Sequence, residues 1–105
     1  MQTELAQVSK RVALMGSASI HKILVSHLFE KNFKRLPKHI QRFAEKKEIL
    51  FRGDAFHPLL RTHQLGGDLN GTWAYAVNRA YRIHFYFIDE RSVMYINIGT
   101  HGVYK

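Results

Sequence analysis

The sequence contains no cysteine, so neither a disulfide staple nor a thiolate zinc centre is available to it, and its composition fits a reducing compartment. Acidic residues are scarce: eight Asp and Glu stand against sixteen Lys and Arg, a net charge of +8. Only four of those acids lie beyond Glu48, and two of them, Asp89 and Glu90, fall at a predicted hairpin tip. A pair of catalytic carboxylates therefore fits the sequence poorly. No apolar run approaches the roughly 20 residues of a membrane span. Lys10 and Arg11 interrupt the apolar residues near the start, unlike a secretory signal. There is no glycine-rich phosphate loop opening a helix and no Gly-x-Ser-x-Gly elbow; Gly66-Gly67 lies among turn residues.

What is present points to one α+β domain. The chain has 105 residues, 46% of them hydrophobic, enough for a single core. Leu5, Val8, Val12 and Met15 are spaced as on a short helix, and GSAS at 16–19 reads as a flexible joint. Residues 1–19 are thus expected to be an extension, a short helix or disordered, ahead of a domain spanning 20–105. The stretch 20–27 reads as a strand. Phe29, Phe33 and Leu36 lie on one face of a helix that Pro37 ends, and a second helix runs to about Leu50 with Ile40, Phe43 and Ala44 inward. Residues 51–71 are rich in turn signals. Three period-two runs follow, at 73–78, 81–89 and 92–98. Trp73, Tyr75 and Val77 share a face, as do Tyr81, Ile83, Phe85 and Phe87, and then Met94, Ile96 and Ile98. Short joints make these runs an antiparallel meander. The fold class is α+β: an N-terminal strand and a two-helix hairpin packed on a mostly antiparallel sheet.

Half of the basic residues lie in the helical hairpin: Lys31, Lys34, Arg35, Lys38, Arg42, Lys46, Lys47 and Arg52. Such an excess suits a polyanionic partner, nucleic acid, an acidic protein or a membrane surface; a plain solvated face is the alternative. Seven histidines are present, but no His-x-x-x-His pair falls on a predicted helix, so no metal centre is expected. The remaining chemistry is His, Arg, Tyr and Trp near the sheet. RNA cleavage without metal needs this set: a base for the ribose 2′-hydroxyl, an acid for the leaving 5′-oxygen, and a cation for the phosphorane. Histidine titrates near neutrality, arginine presents a charged planar fork, and aromatic rings stack on splayed bases. Each residue also has a plainer reading. His101 can cap the last strand, His63 can bond its own loop, and His84 can be a half-buried sheet residue. Arg82 can pair with Asp89 or Glu90, and Trp73 can be core.

The stretch DAFHPLLRTHQLGGDLNGTWAYAVNRAYRIHFYF, followed by INIGTHGVY, resembles the RelE/ParE superfamily of bacterial toxins over about residues 20–105. It is most similar to the RelE- and YafQ-like mRNA interferases of type II toxin–antitoxin systems. The resemblance implies a RelE-like fold and a cytoplasmic, cofactor-free endoribonuclease. Such an enzyme cuts mRNA in the ribosomal A site by 2′-hydroxyl attack and is silenced by a cognate acidic antitoxin, with no membrane partner. Carried over by position, His101, His63, Arg82 and Tyr104 are the implied catalytic residues. Arg61, Trp73, His84, Lys46 and Lys47 are the expected substrate contacts. The RelE branch carries two lysines on the strand that here reads WAYAVN, so the histidine version of the chemistry is the one implied. The YafQ branch has a further histidine near Val77. GTHGVY is shorter than the usual GTHDxVY, which bears on the place of Tyr104. The alternative is a ParE-like toxin that performs no cleavage and inhibits a protein target such as gyrase.

Overall fold

A computed structural model gives the fold; it describes residues 2–100 and 102. The order is α1 (Gln2–Met15), β1 (Lys22–Val25), α2 (His27–Lys34), α3 (Lys38–Gly53), β2 (His63–Gln64), β3 (Trp73–Ala76), β4 (Tyr81–Asp89) and β5 (Ser92–Thr100), with 3₁₀ turns at Pro58–Leu60 and Gly67–Leu69. The five strands form one sheet in the order β1-β5-β4-β3-β2. β1 runs parallel to β5, and the other neighbours are antiparallel. This is the expected α+β arrangement with one strand added, β2, inside the segment read as irregular.

The helical hairpin forms where capping and periodicity agree. Ser26 caps α2: the Phe29 N–H donates to its Oγ at 2.9 Å, and the Oγ donates to the Ile96 carbonyl at 2.6 Å. One side chain thus satisfies an orphan helix donor and ties α2 to β5. Gln41 Nε2 donates to the Phe33 and Leu36 carbonyls at 3.0 and 3.2 Å, closing the end of α2 onto α3. Asp54 follows α3, and its Oδ1 accepts from the N–H groups of Ala18 and Phe56.

The core lies between the helices and one face of the sheet. Cross-strand register puts Trp73 and Tyr75 beside Phe85 and Ile83, and these beside Tyr95 and Ile98. Phe51 packs into this face, 4.7 Å from Tyr75 and 5.0 Å from Phe85 between ring centroids. Offset and edge-on ring packing of this kind adds to the area term. The Tyr75 and Tyr95 hydroxyls bond each other at 2.7 Å, and burial pushes both phenols up from their ordinary range.

Two facing expectations are corrected. Phe43 is exposed; α3 buries Ile40, Ala44 and Phe51, because the helix continues past Leu50 and its apolar stripe follows that frame. On β5 the buried residues are Val93, Tyr95 and Ile98, with Met94 and Ile96 only half-buried. A bulge opposite the His84–Phe85 step adds one residue to β5 and shifts its alternation.

The segment expected as an extension contributes α1 to the same core. Val12 is fully buried. Ser9 Oγ accepts from Trp73 Nε1 at 2.8 Å, and Arg11 pairs with Glu90 at 3.5 Å.

A basic groove at the β3–β4 hairpin

The face of the sheet opposite the aromatic core carries the polar positions. Register aligns His63, Ala74 and His84 in one cross-strand row, continuing to Asn97; Ala76, Arg82 and Gly99 form the next. Ala76 and Arg82 line a groove at the tip of the β3–β4 hairpin together with Lys47, Arg61, Asn78 and Arg79. Four cations therefore face one concavity with no acidic residue in its lining. Among the described residues none of the four takes part in an ion pair.

Arg82 is held in a specific way. Its Nη1 donates to the carbonyls of Asn78, Arg79 and Tyr81 at 2.7, 3.1 and 3.1 Å. A guanidinium has five N–H donors, so anchoring Nη1 leaves Nε and Nη2 to meet a ligand. No bond from Arg82 to Asp89 or Glu90 occurs among the described residues. The turn itself is built by Asn78, whose Oδ1 accepts from the Ala80 and Tyr81 N–H groups at 2.9 and 2.8 Å, an Asx-type turn.

Arg61 reaches the groove from the loop after α3. The buried Leu60 pins that loop, and Thr62 Oγ1 donates to the Ala55 carbonyl. Arg61 itself sits at φ +52°, the only positive-φ residue other than glycine among those described. Left-handed backbone costs a side-chain-bearing residue about 1–2 kcal/mol, and such strain concentrates at functional positions. Arg61→Gly is accordingly expected to leave stability within about 1 kcal/mol of the parent, since relieved strain offsets added chain entropy. The same change should flatten the salt dependence of polyanion binding, read with heparin, because one cation leaves the groove. Thermal unfolding and binding titrations across a salt series check both.

The remaining predicted residues are distributed as follows. His63 is exposed, and its Nδ1 lies 2.9 Å from the Arg61 carbonyl, so the histidine is tied to the groove loop. His84 is 6% exposed; its Nε2 lies 3.0 Å from Thr72 Oγ1, and burial holds its pKa below the ordinary imidazole value. Lys47 is half-buried and lines the groove, whereas Lys46 is exposed and does not. Trp73 is 3% exposed and packs edge-on against Phe56 and Phe87. It lies on the core face, the plainer of the two readings given for it. His101 and Tyr104 lie outside the described residues. Arg79 was not anticipated; its signal in the sequence was a basic residue inside a two-residue joint beside Asn78.

Comparison with protein-family models finds no match, and comparison with curated proteins finds none. Solved structures do match. A YoeB/ParE toxin from Agrobacterium tumefaciens superposes with a TM-score of 0.66 at 14% identity, over 77% of this chain and 99% of that one. The E. coli DinJ–YafQ toxin–antitoxin complex gives 0.60 at 18% identity, covering 78% and 93%. The archaeal RelE–RelB complex from Pyrococcus horikoshii gives 0.63 at 13% identity, covering 78% and 96%. The RelE-like architecture expected from the sequence is therefore what the chain adopts: it has the α+β fold of the YoeB, YafQ and RelE toxins.

Proposed function

We propose that this protein is the toxin of a type II toxin–antitoxin system, a metal-independent endoribonuclease that cuts mRNA in the ribosomal A site. The observation that carries this reading is the acid-free groove of Lys47, Arg61, Arg79 and Arg82, placed on a fold shared with toxins of such systems. Four unpaired cations around one concavity suit a phosphodiester backbone. The free Nε and Nη2 edges of Arg82 suit the phosphorane, where charge develops.

In the proposed reaction a histidine takes the proton of the ribose 2′-hydroxyl. The 2′-oxygen attacks the adjacent phosphorus, and the bond to the 5′-oxygen breaks as an acid protonates it. His63 and His101 are assigned the base and acid roles, and Tyr104 the contact to the cleaved nucleotide that the resemblance implies. The strand WAYAVN holds no lysine, where the RelE branch carries two, and this leaves proton transfer to these histidines. A cognate acidic antitoxin would cover the basic surface, which suits a protein of the bacterial cytoplasm. No helix among the described residues is long and apolar enough to cross a membrane.

The test is mRNA cleavage in a translating bacterial extract, mapped by primer extension, with His101→Ala beside the parent. Loss of a general acid or base costs about 10²–10⁴ in rate, so cuts should appear with the parent on translated message and vanish with the variant. Growth arrest by both proteins without any cuts would instead indicate a ParE-like protein target.

A further inference from the structure

Strand β2 is too short to hold its own place. It pairs with β3 at two positions only, His63 with Ala74 and Gln64 with Trp73, against about five to six residues in a typical strand. Yet β2 carries His63 and directly follows the groove loop of Arg61. The contacts that fix it converge on Thr72. Its carbonyl accepts from the Leu65 N–H at 3.0 Å, just past β2. Its hydroxyl donates to the Leu69 carbonyl at 2.6 Å and lies 3.0 Å from His84 Nε2.

A hydroxyl has a single proton. With that proton committed to Leu69, the Thr72 oxygen accepts from His84, which is therefore the Nε2–H tautomer. Burial lowers the pKa of this imidazole, which favours its neutral form. The stretch around Thr72 runs beside α1. Gly71 stands at φ +92°, and a Cβ there would come into ordinary contact with Leu5 Cβ at 3.5 Å. Trp73 is bonded to Ser9 at 2.8 Å. This α1 support precedes residue 20, where the sequence resemblance begins.

We propose that Thr72 and His84, backed by α1, are positioning residues that lock the β2–β3 loop and thereby set His63 and Arg61 at the groove. The proposal rests on the nuclease reading above. The test compares Thr72→Val, which keeps shape and loses the hydroxyl, with Thr72→Ser, which keeps the hydroxyl. Cleavage is followed on ribosomes programmed with a short message, at a temperature where all three proteins are folded. Misplacing a reacting group by about 1 Å costs up to about 10²-fold. Thr72→Val should therefore lower kcat about 10-fold with KM within about 3-fold, and Thr72→Ser should restore kcat to within about 2-fold of the parent. The ¹⁵N imidazole spectrum of the parent should show His84 protonated at Nε2. An unchanged kcat in Thr72→Val, a serine variant no better than the valine one, or a His84 protonated at Nδ1 overturns the proposal. A parent that cuts no message overturns the nuclease reading and the positioning role with it, while the imidazole spectrum still reports separately whether the brace exists.

Discussion

Arg82→Ala is expected to lower mRNA cleavage by about 10²–10³-fold, the loss typical of removing one preorganised donor to a developing oxyanion. The fall should appear mainly in kcat, because the interaction strengthens as charge builds on the phosphorane. The structural cost should be small. The three carbonyls that Nη1 serves, those of Asn78, Arg79 and Tyr81, lie at a partly exposed turn where water replaces the lost donor, at about 1 kcal/mol. Arg82→Lys should recover little activity. A single ammonium cannot both hold three carbonyls and offer a planar fork to a phosphate. Single-turnover cleavage of a ribosome-bound message by the two variants, with circular dichroism to verify folding, checks this. Near-parental rates in Arg82→Ala would remove Arg82 from the chemistry.

The second large effect is on stability. Phe51 is fully buried and its ring meets those of Tyr75, Phe85 and Tyr95. Phe51→Ala should cost about 3–5 kcal/mol from lost transfer energy and the cavity left behind. A domain of this size has about 5–15 kcal/mol in total, so one substitution removes a large share of it. Urea unfolding should show a midpoint lowered accordingly, with the slope unchanged. Phe43→Ala, earlier on the same helix but exposed, should change the unfolding free energy by no more than about 0.5 kcal/mol. Equal effects at the two positions would contradict the assignment of the helix face.

That contrast also shows where the sequence stops being legible. Ile40 and Ala44 stand four apart, and so announce the buried stripe of α3; Phe43 fits an inward face only when the helix is cut short at Leu50. Once α3 runs to Gly53, Phe51 sets the frame and Phe43 falls outside it. β4 was readable because nine residues give period-two alternation room to declare itself. β5 carries the same signal as far as Tyr95, and the bulge then inverts it with no glycine to mark the spot. β2 has two residues, too few for any period, and exists because β3 offers it an edge.

The candidate site was legible by residue type more than by place. Arg61, Arg82 and Lys47 do converge on one groove. They come from a loop, a strand and a helix, and only tertiary structure brings them together. Trp73 carried two readings, core or substrate contact, and the register sets it beside Phe85 on the core side, where Ser9 satisfies its N–H. The two arginines of the hairpin tip differ in the same way. Arg82 was visible through its YR context, whereas Arg79 gains meaning only once the Asn78 turn has folded.

The most direct test of the central claim is the chemistry of the cut ends. Attack by the 2′-hydroxyl expels the 5′-oxygen, so the downstream fragment must begin with a 5′-hydroxyl and the upstream fragment must end in a cyclic or 3′-phosphate. Mapping fragments from translated message, with and without a kinase step that labels only 5′-hydroxyl ends, reads this out. The account predicts fragments labelled directly by the kinase. Fragments that carry a 5′-phosphate would mean that water, not the ribose, was the nucleophile, and would contradict it.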